Sequence, residues 1–184
     1  ENNKGSKSKP SNTKEPEDDK WIAEEMEGLG VIASVNGRIT HGDRFRIRIE
    51  KDKCQQGELF FSFYTVEGNK GVLDLKEKII KVKYNNKTIN AQILYSSKFL
   101  AGHRVVFQLG FKPIDFIIDF HKDFKNISIE LIDTATFKAS DYFDVLKNEW
   151  SLNNLEASLL KGQSLCQKSK QSGEDSDTDE VIQL

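Results

Sequence analysis

Asn148-Glu149-Trp150-Ser151-Leu152-Asn153-Asn154-Leu155-Glu156-Ala157-Ser158-Leu159-Leu160-Lys161-Gly162-Gln163-Ser164-Leu165-Cys166 is the long segment whose residues repeat with a helical period. Leu152, Leu155, Leu159 and Cys166 fall on one stripe, while Glu156 and Lys161 fall elsewhere. Ser151 stands where an N-cap would stand. Residues 31 to 143 read as short strands, so this helix is the natural cover for one face of a sheet. Cys166 lies on the buried stripe, and the other cysteine of the chain is Cys54. The helix end could therefore be tied to the beginning of the sheet.

Working outward, Arg44-Phe45-Arg46-Ile47-Arg48-Ile49-Glu50 alternates without exception, which puts Phe45, Ile47 and Ile49 on one face of a strand and three arginines on the other. Glu58 to Val66 carries Phe60, Phe61, Phe63 and Tyr64 on both faces and reads as a central strand. Lys78 to Tyr84 and Thr88 to Leu94 alternate about Asn85-Asn86-Lys87 and predict a hairpin. Val31 to Ile39, Val72 to Leu75, Arg104 to Leu109, Phe116 to Phe120, Ile127 to Ile132 and Thr136 to Phe143 supply further short strands. Their spacing is the rhythm of a sandwich or barrel. Trp21 to Met26 reads as one or two helical turns ending at Gly28 and Gly30.

The 184 residues suffice for one domain with polar ends, and 27 basic against 29 acidic residues leave no global field to draw the chain to nucleic acid or anionic lipid. Any such binding must come from a local patch. No apolar run approaches the roughly 18 residues of a membrane span, and a soluble chain is expected. Residues 1 to 20 and 167 to 184 lack the apolar content to bury and are expected to be a disordered polar tether and a disordered acidic tail. Glu1 rather than Met opens the sequence, which carries the expectation of an upstream segment removed by signal cleavage or otherwise.

Two cysteines permit one intramolecular bridge, closing a loop of roughly a hundred residues and stabilising the fold by about 4 to 5 kcal/mol on the chain-entropy argument. Two unrelated buried thiols are the plainer alternative. Without clustered histidines they are too few for a zinc site, so no metal or cofactor is expected.

Among candidate binding residues, Arg38, Arg44, Arg46 and Arg48 form a basic stripe, and their guanidinium forks suit phosphate, sulfate or carboxylate groups. The phenylalanines of Glu58 to Val66 would add stacking for a single nucleic-acid strand. The plainer reading is the solvated face of a charged strand. His41, His103 and His121 adjoin strand ends, and with Asp43, Asp119 or Asp123 they would make a metal or general-base site only if they converge at one rim. Phosphate-loop, nucleophile-elbow and zinc-helix motifs are missing from the sequence. Asn86-Lys87-Thr88 and Asn126-Ile127-Ser128 match the glycosylation sequon, and Ser172 and Ser176 precede acidic residues as kinase targets do.

The closing pattern, Tyr142-Phe143-Asp144-Val145 followed by Trp150 to Leu155 and a helix ending in Cys166, resembles the C-terminal signature of bacterial periplasmic proteins like invasion-associated locus B. That resemblance implies a secreted β-sandwich in which a strand runs into a short helix carrying a disulfide cysteine. It also implies an accessory role in the cell envelope, without catalytic residues.

Together these readings predict a mainly β domain over residues 21 to 166, an antiparallel sandwich or partly open barrel with a C-terminal helix packed on it and a Cys54 to Cys166 disulfide. The expected role is that of an exported or surface-tethered, non-catalytic binding domain whose partner is a protein or an anionic polymer. It would meet a membrane only through an upstream anchor. The alternatives are an intracellular nucleic-acid or regulatory module that uses Arg44 to Arg48, and a metal-dependent hydrolase.

Overall fold

Period-two alternation governs most of this chain, and the computed structural model, which describes residues 19–66 and 70–174, lays it out as antiparallel strands. In chain order these are β1 (Ile22–Met26), β2 (Gly30–Asn36), β3 (Arg44–Ile49), β4 (Gln56–Val66), β5 (Ile79–Tyr84), β6 (Lys87–Phe99), β7 (Gly102–Pro113), β8 (Asn126–Leu131) and β9 (Lys147–Ser151). Helix α1 (Ile114–His121) follows β7, and helix α2 (Leu155–Glu174) follows β9. The strands form one nine-stranded sheet in the order β1-β2-β3-β4-β7-β6-β5-β8-β9. It is a curled half-barrel with α2 packed on it, which is the partly open barrel the alternation predicts.

The curl brings the two ends of the sheet together. Gly37 bridges Trp150, and the Arg38 amide donates to the Glu149 carbonyl at 2.7 Å. Asn148, fully buried, knits this seam: its Oδ1 accepts the Ile39 amide at 3.0 Å, and its Nδ2 donates to the Thr40 carbonyl at 3.1 Å. A Cβ at position 37 would fall 2.4 Å from both the Asn148 amide and the Thr40 carbonyl, so only glycine fits there. Trp21 and Trp150 close the same end, their indole N–H groups donating to the carbonyls of Ser151 at 2.6 Å and Asp43 at 3.0 Å.

Inside the curl sits an aromatic core. Phe61 and Phe107 stack with centroids 4.8 Å apart, and Phe45 meets Trp150 edge to face at 5.6 Å. Such pairs add about 0.5 to 1.5 kcal/mol each beyond the area they bury. Leu155, Leu159 and Cys166 point α2 at β1, β2 and β3, as the stripe predicts. Cys54 and Cys166 are joined, with Cα atoms 5.6 Å apart and a sequence separation of 112.

Several local expectations are corrected. Trp21 to Met26 does not form helical turns: Ile22–Met26 is the edge strand β1, Ala23 within it and Trp21 just before it are buried, and pairing with β2 overrides the helical preference of its glutamates. Residues 148 to 151 belong to β9, and Ser151 caps no helix; its Oγ accepts the Asn153 amide at 2.9 Å in the turn before α2. Phe116 to Phe120 lies in α1, whose buried Ile114, Ile117 and His121 repeat at helical spacing that a run of Phe and Ile disguises as a strand. Val72 to Leu75 lies in a 3-10 turn (Lys70–Leu75), and Thr136 to Phe143 is irregular around a second one (Ala139–Asp141). Helix α2 continues beyond Cys166 to Glu174, so residues 167 to 174 are not disordered tail. The expectations for residues 1–18 and 175–184 lie outside the described residues.

Candidate functional site

Strand register decides which arginines share a surface. Arg46 stands opposite Phe60 and Arg48 opposite Glu58 across β3 and β4, while Tyr64 stands opposite Arg104 across β4 and β7. Phe45, Ile47 and Ile49 are fully buried, so Arg44, Arg46 and Arg48 face away from the core.

The four arginines singled out in the sequence do not act together. Arg38 is paired with Asp19, to which its Nε donates at 2.9 Å. Arg48 is committed to Glu58, which it shares with the Gln108 amide, and its Nη2 also reaches Glu50 at 3.2 Å. Glu58 is buried, so this pair neutralises a carboxylate that could not stand alone.

Arg44 and Arg46 remain, and β7 adds Arg104, which the sequence did not single out. Arg44 donates from Nε to Asn36 at 2.9 Å, and Arg104 lies over the Phe99 ring with its guanidinium carbon 4.0 Å from the centroid. No carboxylate among the described residues forms an ion pair with any of the three. Burial lowers the pKa of Arg46, and the charges of Arg44 and Arg104 lower it further, while Tyr95 acts the other way. Arg44 and Arg104 thus both repel Arg46 on a surface that includes partly exposed Phe60, Tyr64 and Tyr95. Phe61 and Phe63, by contrast, are core residues and cannot stack on a ligand. Arg104 follows a histidine in a strand that otherwise reads as apolar, and only the pairing of β4 with β7 brings it to Arg46.

At the neighbouring end of β3, Asp43 is buried and its carboxyl is pushed up to about 7, chiefly by burial; the Tyr64 backbone, the Arg104 charge and Asn148 oppose the rise. One of its oxygens has no hydrogen-bond partner among the described residues.

His103 and His121 are not brought together. His103 lies at the start of β7, and His121 ends α1 beyond the other end of that strand, about 30 Å of extended chain away. His121 is buried, with its ring nitrogens near the Tyr84 hydroxyl and the Ile117 carbonyl. Asp119 pairs with Lys122. Among the described residues, no group of three His, Cys, Asp or Glu side chains is placed to hold a metal ion. Asn86 is exposed at the β5–β6 turn, whereas the Asn126 amide donates to Glu149 at 3.1 Å. No described helix is long and apolar enough to cross a membrane.

Comparison with protein-family models, with curated proteins and with solved structures finds no match to this chain.

Proposed function

We propose that this chain is an exported or surface-tethered, non-catalytic binding domain of the cell envelope, and that the face bearing Arg44, Arg46 and Arg104 takes an anionic polymer. The observation that carries the reading is the absence of carboxylate partners for those three guanidinium groups among the described residues. Mutual repulsion is relieved when an anion settles between them, and planar forks grip sulfate, phosphate or carboxylate with two hydrogen bonds each. The Cys54 to Cys166 bridge favours an oxidising compartment such as the periplasm, the cell surface or the medium. The resemblance of the Tyr142 to Cys166 segment to invasion-associated locus B proteins points the same way.

Calorimetric titration with heparin, polyphosphate and oligo-dT at several salt concentrations tests the reading. Binding should weaken as salt rises, and Arg46→Gln with Arg104→Gln should reduce the log–log slope by about one per arginine. No binding at about 50 mM salt, or an unchanged slope in the double variant, would sink the proposal. Stacking by Phe60, Tyr64 and Tyr95 supports a second reading, a module for single-stranded nucleic acid. Oligo-dT binding far tighter than heparin would favour it.

A further inference from the structure

The second site on this molecule is apolar. Between α1 and strands β4, β6 and β7, the side chains of Leu59, Ile89, Leu109, Phe116, Ile117 and Phe120 wall a pocket of about 190 Å³. An apolar cavity of roughly 150 Å³ already accepts a benzene-sized guest, so this one has room for a ring or a medium-length chain.

Tyr84 and His121 also line it, but they offer a guest little. The Tyr84 oxygen lies 2.6 Å from His121 Nε2, and His121 Nδ1 lies 2.6 Å from the Ile117 carbonyl, so their polar atoms are occupied within the protein. What enters must therefore be apolar.

The rim differs. Lys87 and Lys112 line the same pocket, with their ammonium groups 5.5 Å from the Phe120 ring centroid and 5.9 Å from the Phe116 ring centroid. Neither pairs with a carboxylate among the described residues, and Asp119 on the same helix is occupied by Lys122. Phe116 is itself half exposed, so a guest lying across the mouth would cover apolar surface that is otherwise wet. The geometry points to a small anionic amphiphile as the occupant: a ring or medium-length chain under α1, with a carboxylate or sulfonate held between Lys87 and Lys112. This site is independent of the arginine face.

Octanoate and the fluorescent sulfonate 8-anilinonaphthalene-1-sulfonate are the probes. Octanoate should displace the dye, and amide chemical shifts should move around Ile89, Leu109 and Ile117. Lys87→Gln with Lys112→Gln should weaken octanoate at least about threefold while leaving 1-octanol unchanged, because only the charged head loses its partners. Ile89→Trp, which fills the pocket, should abolish binding of both. Absence of binding, shifts confined to other regions, or octanoate and octanol weakened equally by the lysine changes would each overturn the proposal. The shift map on the unaltered protein decides the matter if Ile89→Trp does not fold.

Discussion

The Tyr84 hydroxyl lies 2.6 Å from Nε2 of His121, and the other nitrogen of that imidazole lies 2.6 Å from the Ile117 carbonyl. A carbonyl can only accept, so Nδ1 carries the proton; because burial favours the neutral ring, Nε2 is left bare and accepts from the Tyr84 hydroxyl. Burial, the leading cause, holds the imidazole below its usual pKa, and it pushes the Tyr84 phenol well above its own.

Stability should follow that imidazole. Because the folded pKa lies below the unfolded value of 6.5, the unfolded chain binds the proton first as pH falls, and the contribution of neutral His121 is lost progressively below about 6.5. Tyr84→Phe leaves Nε2 buried without a donor and should cost about 1 to 3 kcal/mol at pH 8. Urea unfolding at pH 8 and pH 5 reads both effects.

Asp43 should pull in the opposite direction. Its folded pKa of about 7 stands above the unfolded 3.8, so its contribution is most favourable below pH 4 and is lost as pH rises through 7. Asp43→Asn should therefore stabilise the protein at pH 8 by about 1 to 4 kcal/mol and change it little at pH 4. Equal effects at the two values would show that the carboxyl is not held protonated. The same variant isolates the His121 dependence.

Arg46 and Arg48 should separate cleanly, although two residues apart on one strand face. Arg48→Gln strips the buried Glu58 of its cation and should cost about 1 to 3 kcal/mol. Arg46→Gln relieves repulsion and should leave stability within about 0.5 kcal/mol while weakening polyanion binding. Thermal melts and calorimetric titration of the two variants, side by side, distinguish these outcomes.

Asn148→Ala should open the seam of the half-barrel. It strands the Ile39 amide and the Thr40 carbonyl away from their partner, and about 2 to 4 kcal/mol should be lost. Hydrogen exchange at Ile39 should accelerate well before that of the β4 amides.

Reduction of the Cys54 to Cys166 bridge should cost about 2 to 5 kcal/mol, seen as a lower urea midpoint in the presence of reductant. A Cys54→Ser, Cys166→Ser pair should match the reduced protein.

The sequence made some parts of this plain and hid others for definable reasons. Phe45, Ile47 and Ile49 alternate with arginine, and Lys78 to Tyr84 with Thr88 to Leu94 flank a turn, so β3 and the β5–β6 hairpin could be read directly. Both cysteines could be paired because one lay on the apolar stripe of α2. Helix α1 was hidden because Ile and Phe suit strands, and period, not residue type, marks it as helical. The proposed arginine face was legible only in part: the sequence singles out Arg44 and Arg46, but Arg38 and Arg48 are partnered, and Arg104 arrives through the non-sequential β4–β7 pairing. No linear pattern announces that neighbour. The apolar pocket was equally silent, since its walls come from β4, β6, β7 and α1 and only the folded sheet collects them.

The sequence separation of 112 between Cys54 and Cys166 makes a covalent ring that encloses the whole of β4 through β9. Leu100, 80% exposed at the tip between β6 and β7, is an accessible place for a protease to cut within that ring. One nick there would leave a single molecule under denaturing conditions, falling into two fragments only when reductant is added. In a compartment rich in proteases, the bridge would thus keep a clipped domain from losing half of its sheet.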